Sequence, residues 1–368
     1  MPGLADIIFY ALKVTDHGQF DEYKYEVNDR LEIDMPEVIT TAHGSGGSDT
    51  KKLIDGIFAP AFANETLLAM EDSAVVPGSR RIAVTTDSFV VTPLEFNGGD
   101  IGRLCICGTV NDLLMRGAAP KYITCGFILE EGLDISLLKR CVESLADTAK
   151  EAGVYIVAGD TKVVGGNGGM YINTSGVGLF EGETVPDISA ANAEAGDVII
   201  VSGTMGDHHA AIMAHRMNID TDIKSDNAPL TEMTGKLMDS GIPIHTMRDI
   251  TRGGLGTVLK ELAESSGKAF YIEEEKIPVT DAVKDFAKLM GIDPAYMGNE
   301  GKLALILPGE YADKALELIR SSAYGSEAAV IGEVKAEEKR VGKLIMRTRI
   351  GGERNMDILK GEGLPRIC

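Results

Sequence analysis

Four aspartates in the first half of the chain, Asp72, Asp87, Asp112 and Asp160, each fall at the edge of an expected element and beside small residues. Magnesium keeps much of its hydration and takes a few carboxylates together with phosphate oxygens, so this is the company it favours. The glycines of His43-Gly44-Ser45-Gly46-Gly47 let backbone N–H groups approach phosphate oxygens without side-chain obstruction. The loop lacks the GxxxxGK[ST] spacing, and each aspartate alone is an ordinary cap or turn residue. Together they suggest a magnesium nucleotide, although spacing alone does not bring them into one place. A third chemical group is the thiol of Cys368, at the close of Pro365-Arg366-Ile367-Cys368. Gly361, Gly363 and Pro365 disfavour a helix before it, so the expectation is an extended arm able to carry the thiol into a pocket. The plainer reading is a frayed end that happens to finish in cysteine.

Composition limits what these groups can serve. The chain has 368 residues, which suggests two domains, and 44% hydrophobic residues, ample for buried cores. A formal charge of −20 opposes the phosphate neutralisation on which nucleic-acid affinity depends, so no nucleic-acid partner is expected. The five cysteines, Cys105, Cys107, Cys125, Cys141 and Cys368, form no CxxC pair, and neither a disulfide framework nor a zinc site is indicated. With no signal-like start and no apolar run near the ~20 residues of a membrane span, a cytoplasmic protein with no membrane partner is expected.

The elements that must position the groups follow from periodicity. Arg81 to Ser88 reads as a β-branched strand carrying Asp87; a helix starts at Asp100 and carries Asn111 and Asp112; Tyr122 to Leu129 is a strand. Ile135 to Ala152 is a strongly periodic helix, and Val154 to Ala158 a strand that delivers Gly159-Asp160-Thr161-Lys162 at its end. Composition loosens around Gly182 to Gly196, and the second half reopens with the strand Val198 to Ser202, the loop Gly203-Thr204-Met205-Gly206-Asp207-His208-His209 and further helices and strands to Arg347. The expected division is an N-terminal extension of unknown role over 1–38, a first domain over 39–183, a second over 190–347, and a mobile tail over 348–368. Asp207, His208 and His209 either meet phosphate or cap a helix.

Several strings, taken in order, carry a resemblance: His43-Gly-Ser-Gly-Gly, Thr86-Asp87-Ser88, Gly108-Thr-Val-Asn-Asp112-Leu, Gly159-Asp-Thr-Lys162-Val, Gly206-Asp-His, Asp249 to Leu255, Asn299-Glu-Gly-Lys302 and Pro-Arg-Ile-Cys. From about residue 39 onward the chain resembles the hydrogenase maturation family HypE, within the PurM-like superfamily of aminoimidazole ribonucleotide synthetase. The resemblance implies an α+β fold of two PurM-like α/β domains, the first a sheet or half-barrel that forms a homodimer and binds ATP with Mg2+. It implies that Gly44, Ser45, Gly46, Gly47, Thr86, Asn111 and Thr161 contact ATP and that Asp72, Asp87, Asp112 and Asp160 hold the metal. It also implies a reaction in which a carbamoyltransferase, HypF, loads Cys368 with a carbamoyl group. ATP-driven dehydration then gives a thiocyanate, which passes through a HypC–HypD scaffold to the iron of nickel-iron hydrogenase. Glu300 and Lys162 are the implied proton-transfer residues. The rivals are another PurM-like enzyme that phosphorylates a small metabolite, and a non-enzymatic scaffold whose cysteine binds metal or a partner.

Overall fold

The structure, a computed structural model, describes residues 36–359; residues 1–35 of the expected extension over 1–38, and the stretch 360–368 with Cys368, lie outside the described residues. Two sheets organise the chain. The first has the order β1-β4-β2-β3, where β1 is Ile82–Phe89, β2 Ala119–Glu130, β3 Tyr155–Val164 and β4 Met170–Leu179. β2 and β3 run parallel and the other pairs antiparallel.

Helix α1 (Ser48–Leu53) follows the glycine loop, and α2 (Ile101–Leu114) and α3 (Ile135–Ala152) pack on one face of the sheet. α2 starts where the Asp100 carboxylate accepts from the N–H groups of Gly102 and Arg103, and α3 where Asp134 accepts from Leu137. Each cap satisfies donors the first turn leaves open. Gly153 ends α3 at φ +73°, a left-handed conformation that costs glycine nothing.

The second sheet has the order β11-β10-β7-β9-β5-β8-β6, with β5 Asp197–Val201, β6 Thr246–Asp249, β7 Ala269–Glu273, β8 Leu303–Pro308, β9 Ala329–Lys335, β10 Leu344–Arg347 and β11 Glu353–Met356. Its centre is buried on both sides, which is why Leu303-Ala304-Leu305-Ile306-Leu307 is a continuous apolar run. Alternate residues divide between two cores. Leu305 and Leu307 join α5 (Thr231–Asp239) and α8 (Ala312–Arg320) in a cluster continuous with the first domain, while Ala304 and Ile306 face α6 (Gly254–Ser266). α4 (Asp207–Arg216) packs with α7 (Asp281–Met290) in a third cluster.

Two expectations differ from what is observed. Gly159 to Lys162 does not follow a strand but lies inside one: β3 continues to Val164 because β2 offers a parallel partner residue by residue as far as Glu130. Part of the stretch read as tail is also a strand, since β11 pairs antiparallel with β10 and buries Met356 in the second core.

Among the described residues no helix covers the other face of the first sheet. Ile82, Val84, Ile128 and Val164 stand there 50%, 66%, 42% and 40% exposed, in rows with the polar Thr86, Ser88, Asn173 and Ser175. The domains are held by contacts beyond the shared core. Arg103 of α2 reaches Glu151 of α3 at 2.7 Å, the Tyr324 hydroxyl at 3.2 Å and the Asn227 carbonyl at 2.9 Å.

Candidate functional site

Asp87 and Asp112 meet between β1 and α2. Strand alternation turns Thr85 and Asp87 inward, where the Thr85 hydroxyl donates to Asp112 Oδ2 at 2.7 Å, and Gly108 leaves the space that a side chain would take from Phe89. Burial, reinforced by the charge of Asp112 and a hydrogen bond to it, raises Asp87 to about 6. Asp249, at the end of β6, is raised to about 7 by burial first and then by Asp112. Asp87 and Asp249 are thus both buried within reach of the Asp112 charge, and the repulsion among the three favours a cation or protons nearby. Among the described residues no three His, Cys, Asp or Glu side chains converge as a ready-made metal site.

Beside this knot opens a cleft of about 600 Å³ between the domains, whose lining includes Asp112, Asp249 and the three arginines Arg116, Arg248 and Arg252. Arg252 pulls the Asp87 carboxyl down against the other influences. A wall with both carboxylates and guanidinium groups suits an anion that arrives with its own metal: planar guanidinium groups match phosphate oxygens, and the carboxylates complete the shell of the metal. The arginines and Asp249 were given no role from sequence. The available signal was the Asp249-Ile-Thr-Arg-Gly-Gly string, whose Gly253 and Gly254 take φ +81° and +64° to turn the chain from β6 into α6. The last described residue, Leu359, also lies near here: its N–H donates to the Thr257 hydroxyl at 3.3 Å, and Thr257 lines the cleft.

The remaining residues lie elsewhere. Asp72 is exposed in a loop ahead of β1. Asp160 and Lys162 stand on the open face of edge strand β3 and pair with each other at 2.7 Å. The ladder Ser88, Asn173, Gly126, Asp160 spans the sheet from edge to edge, three strand spacings or about 14 Å. One chain therefore does not bring the four aspartates together. Thr86 lies on the open face and donates to the Thr174 carbonyl.

Asn111 is buried, and its amide is committed to the second domain: Nδ2 donates to the Ala228 carbonyl at 3.0 Å and Oδ1 accepts from Leu230 N–H at 2.9 Å. Asn111 thus ties α2 to the second domain. Glu300, also buried, lies in the loop before β8, beside Asn111.

The glycine loop sits over β3, where a Cβ on Gly44 would come within 2.8 Å of Val163 Cβ. Ser45 N–H donates to the Ala42 carbonyl and Gly46 N–H to the Thr50 hydroxyl, so two of the four expected phosphate donors are spent inside the loop. Thr50 also lines a neighbouring cavity of about 190 Å³ walled by Phe58, Phe62 and Phe127 and reaching Asp160 and Thr161. Cys105, Cys107, Cys125 and Cys141 are buried, and burial pushes each thiol up, Cys125 and Cys141 to about 12, so they pack and do not react. His208 and His209 are buried within α4 and Asp207 is bonded to Thr204 at 2.6 Å.

Comparison with known proteins agrees with this two-sheet arrangement. The model of the AIR synthase related protein N-terminal domain matches residues 70–180, and that of the C-terminal domain matches 194–344. The carbamoyl dehydratase HypE of Rhodobacter capsulatus is 42% identical over 339 residues, covering 90% of this chain and 98% of that protein. A crystal structure of HypE in complex with ATP superposes with a TM-score of 0.85 at 43% identity, covering 89% of this chain and 99% of that one. The structure of a HypE–HypF complex matches at 0.71 and 48%, covering 83% and 99%. Thiamine monophosphate kinase of Aquifex aeolicus, 20% identical with a TM-score of 0.55 over 73% and 89%, shares the fold alone. With near-complete coverage of relatives more than 40% identical, and both domain models matched in order, the chain belongs to the HypE family of hydrogenase maturation proteins.

Proposed function

We propose that this chain is an ATP-dependent carbamoyl dehydratase that converts a carbamoyl group on Cys368 to a thiocyanate, the source of a cyanide ligand for hydrogenase iron. The observation that carries the reading within the structure is the carboxylate knot of Asp87, Asp112 and Asp249 opening onto the arginine-lined cleft. Membership of a family whose relatives are named carbamoyl dehydratase supplies the reaction. Amide oxygen is a poor leaving group; transfer of the γ-phosphoryl group to it gives an imidate phosphate. Departure of that phosphate and loss of both nitrogen protons then closes the C≡N bond. The balance is thiocarbamate and ATP to thiocyanate, ADP and phosphate.

The residues divide the work. Phosphoryl transfer needs alignment and charge neutralisation above all, and the arginines and the Asp87–Asp112 pair supply both. Asp87 and Asp112 would hold magnesium, which would supply neutralisation of phosphate charge; a carboxylate pair fits an ion that takes its other ligands from phosphate and water. The phenylalanine-walled cavity takes the base, with Thr161 at its rim and the loop over Gly44 to Gly47 beside it. Glu300 accepts a nitrogen proton, and Lys162 relays it or neutralises phosphate.

Asp160 and Lys162 belong to one edge of the first sheet and Asp87 to the other, so the complete site needs the open sheet face closed by a second copy, in which each edge meets its complement. HypF as the loading partner is supported by the relative solved with it; HypC–HypD as the receiving scaffold follows from the family resemblance alone. Reduced, buried cysteines suit a cytoplasmic location. Among the described residues no helix is long and apolar enough to cross a membrane.

The test is the mass of the peptide carrying Cys368 after incubation with carbamoyl phosphate, the carbamoyltransferase, ATP and magnesium. The expected result is a carbamoyl adduct that loses water only when ATP is present, and that stalls before water loss in Lys162→Ala or Glu300→Ala. ATP consumption with Cys368 unmodified would sink the reading and favour a small-metabolite phosphotransferase.

A further inference from the structure

Glu300 belongs to a loop gripped from both domains. Its N–H donates to Asp226 Oδ1 at 3.0 Å. Its carbonyl accepts from the Asn111 amide of α2 at 3.4 Å and from Ala228 N–H at 3.5 Å. The next residue has no room for a side chain, because a Cβ on Gly301 would stand 2.0 Å from the Asp226 carbonyl oxygen. One residue further, the Lys302 ammonium meets Asp226 Oδ2 at 3.1 Å as an ion pair without hydrogen-bond geometry. Both side chains are nearly closed to water, 8% and 4% exposed. Ahead of the loop, Asn299 Oδ1 accepts from Gly206 N–H at 2.7 Å and ties it to the start of α4. Asp207, on the first turn of that helix, is raised by burial and by Asp226 and lowered by Thr204 and Lys302, so the ammonium serves two buried carboxylates.

A buried ion pair is a poor device for stability, since the cost of desolvating both charges offsets most of their attraction. Its persistence two residues from a proposed proton acceptor calls for another use. We infer that Asp226 is a positioning residue for Glu300, and that Lys302 is the counter-ion that allows Asp226 to stay charged and in place. The carboxylate of Asp226 fixes the peptide N–H of Glu300 and, through Lys302, both ends of the three-residue span Glu300-Gly301-Lys302. The Glu300 side chain then has one direction of approach to the thiocarbamate nitrogen. The inference rests on Glu300 acting in the dehydration step.

Two double variants of the full chain separate position from charge. D226N/K302M removes both charges and keeps an oxygen for the Glu300 N–H; D226L/K302M removes the charges and the acceptor. Removing the charges together avoids leaving Asp226 or Lys302 buried and unpaired, and Asp207, which keeps the Thr204 hydroxyl, loses the ammonium equally in both variants. With Cys368 already carbamoylated, single-turnover thiocyanate formation is expected within about threefold of the unsubstituted chain in D226N/K302M. In D226L/K302M it is expected roughly 100-fold slower, the scale of a small misplacement of a catalytic group. KM for ATP is expected unchanged in both. Hydrogen exchange at the Glu300 amide is expected about tenfold faster in D226L/K302M alone. Equal rates in the two variants, or a loss that follows a raised KM for ATP, would overturn the inference. An unsubstituted chain that makes no thiocyanate would remove the dehydratase reading itself, and the exchange rates then decide whether Asp226 holds the loop.

Discussion

His209 shows how a residue can be costly and still be kept. It is 1% exposed in α4, its Nε2 has no hydrogen-bond partner among the described residues, and burial, with His208 and Arg216 nearby, lowers it to about 4. The folded protein therefore holds it neutral while the unfolded chain protonates near 6.5. Because the folded value is the lower one, the contribution to stability is intact above pH 6.5 and is lost as pH falls towards 4, by roughly 3 kcal/mol in all. His209→Leu is expected to flatten the fall of the melting temperature between pH 7 and 5; an unchanged fall would show that other groups set acid sensitivity. Side-chain chemistry of this kind was only half legible. The sequence offered two histidines after a glycine loop and left phosphate contact and helix capping equally open, because burial is a property of what packs on α4 and not of the string itself. Asp87 and Asp112 were legible as chemistry and do meet. Asp72 and Asp160 had the same local signature of carboxylate beside small residues, and nothing in that signature records which sheet face or edge a residue will occupy.

At the scale of elements, periodicity and punctuation carried most of the reading. α3 is where Leu138, Cys141, Leu145 and Ala149 fall on one buried stripe between an Asp cap and a Gly stop. β3 was cut short in the sequence reading because glycine, aspartate and lysine look like a loop; the parallel ladder to β2 overrides that preference. β11 was hidden for the same reason, its Glu-Arg-Asn-Met owing its place to pairing and to one buried methionine. α2 and α3 approach so closely that a Cβ on Gly102 would stand 1.9 Å from the Cys141 carbonyl oxygen. Gly102→Ala is accordingly expected to destabilise the protein by about 1–3 kcal/mol, the usual cost of overpacking, or more, since backbone must yield. Chemical denaturation reads the change directly, and a variant as stable as the parent would mean that the helices part easily.

For the molecule as a whole, the first sheet is a half-finished object. One face is packed under α2 and α3, and the other shows Val84 and its neighbours to solvent, which is more apolar surface in strand rows than a solvated sheet face ordinarily presents. If two copies close this face as proposed, the parent protein is a dimer in light scattering, and Val84→Glu is expected to make it a monomer, to leave its circular dichroism unchanged, and to abolish ATP turnover. A dimer that survives the change, or a monomer that still turns over ATP, would refute a site shared between copies.

The bond from Leu359 to Thr257 has a meaning beyond stability. It fixes an origin for the nine residues 360–368, whose full extension is about 30 Å. A thiol on a tether of that length would be present at an effective concentration in the millimolar range, whatever the abundance of the protein. A reagent delivered in this way does not have to be bound tightly to be used efficiently. A thiol on such a tether would leave the cleft as readily as it arrived, which is the property the proposed carrier role needs and a tightly held substrate lacks.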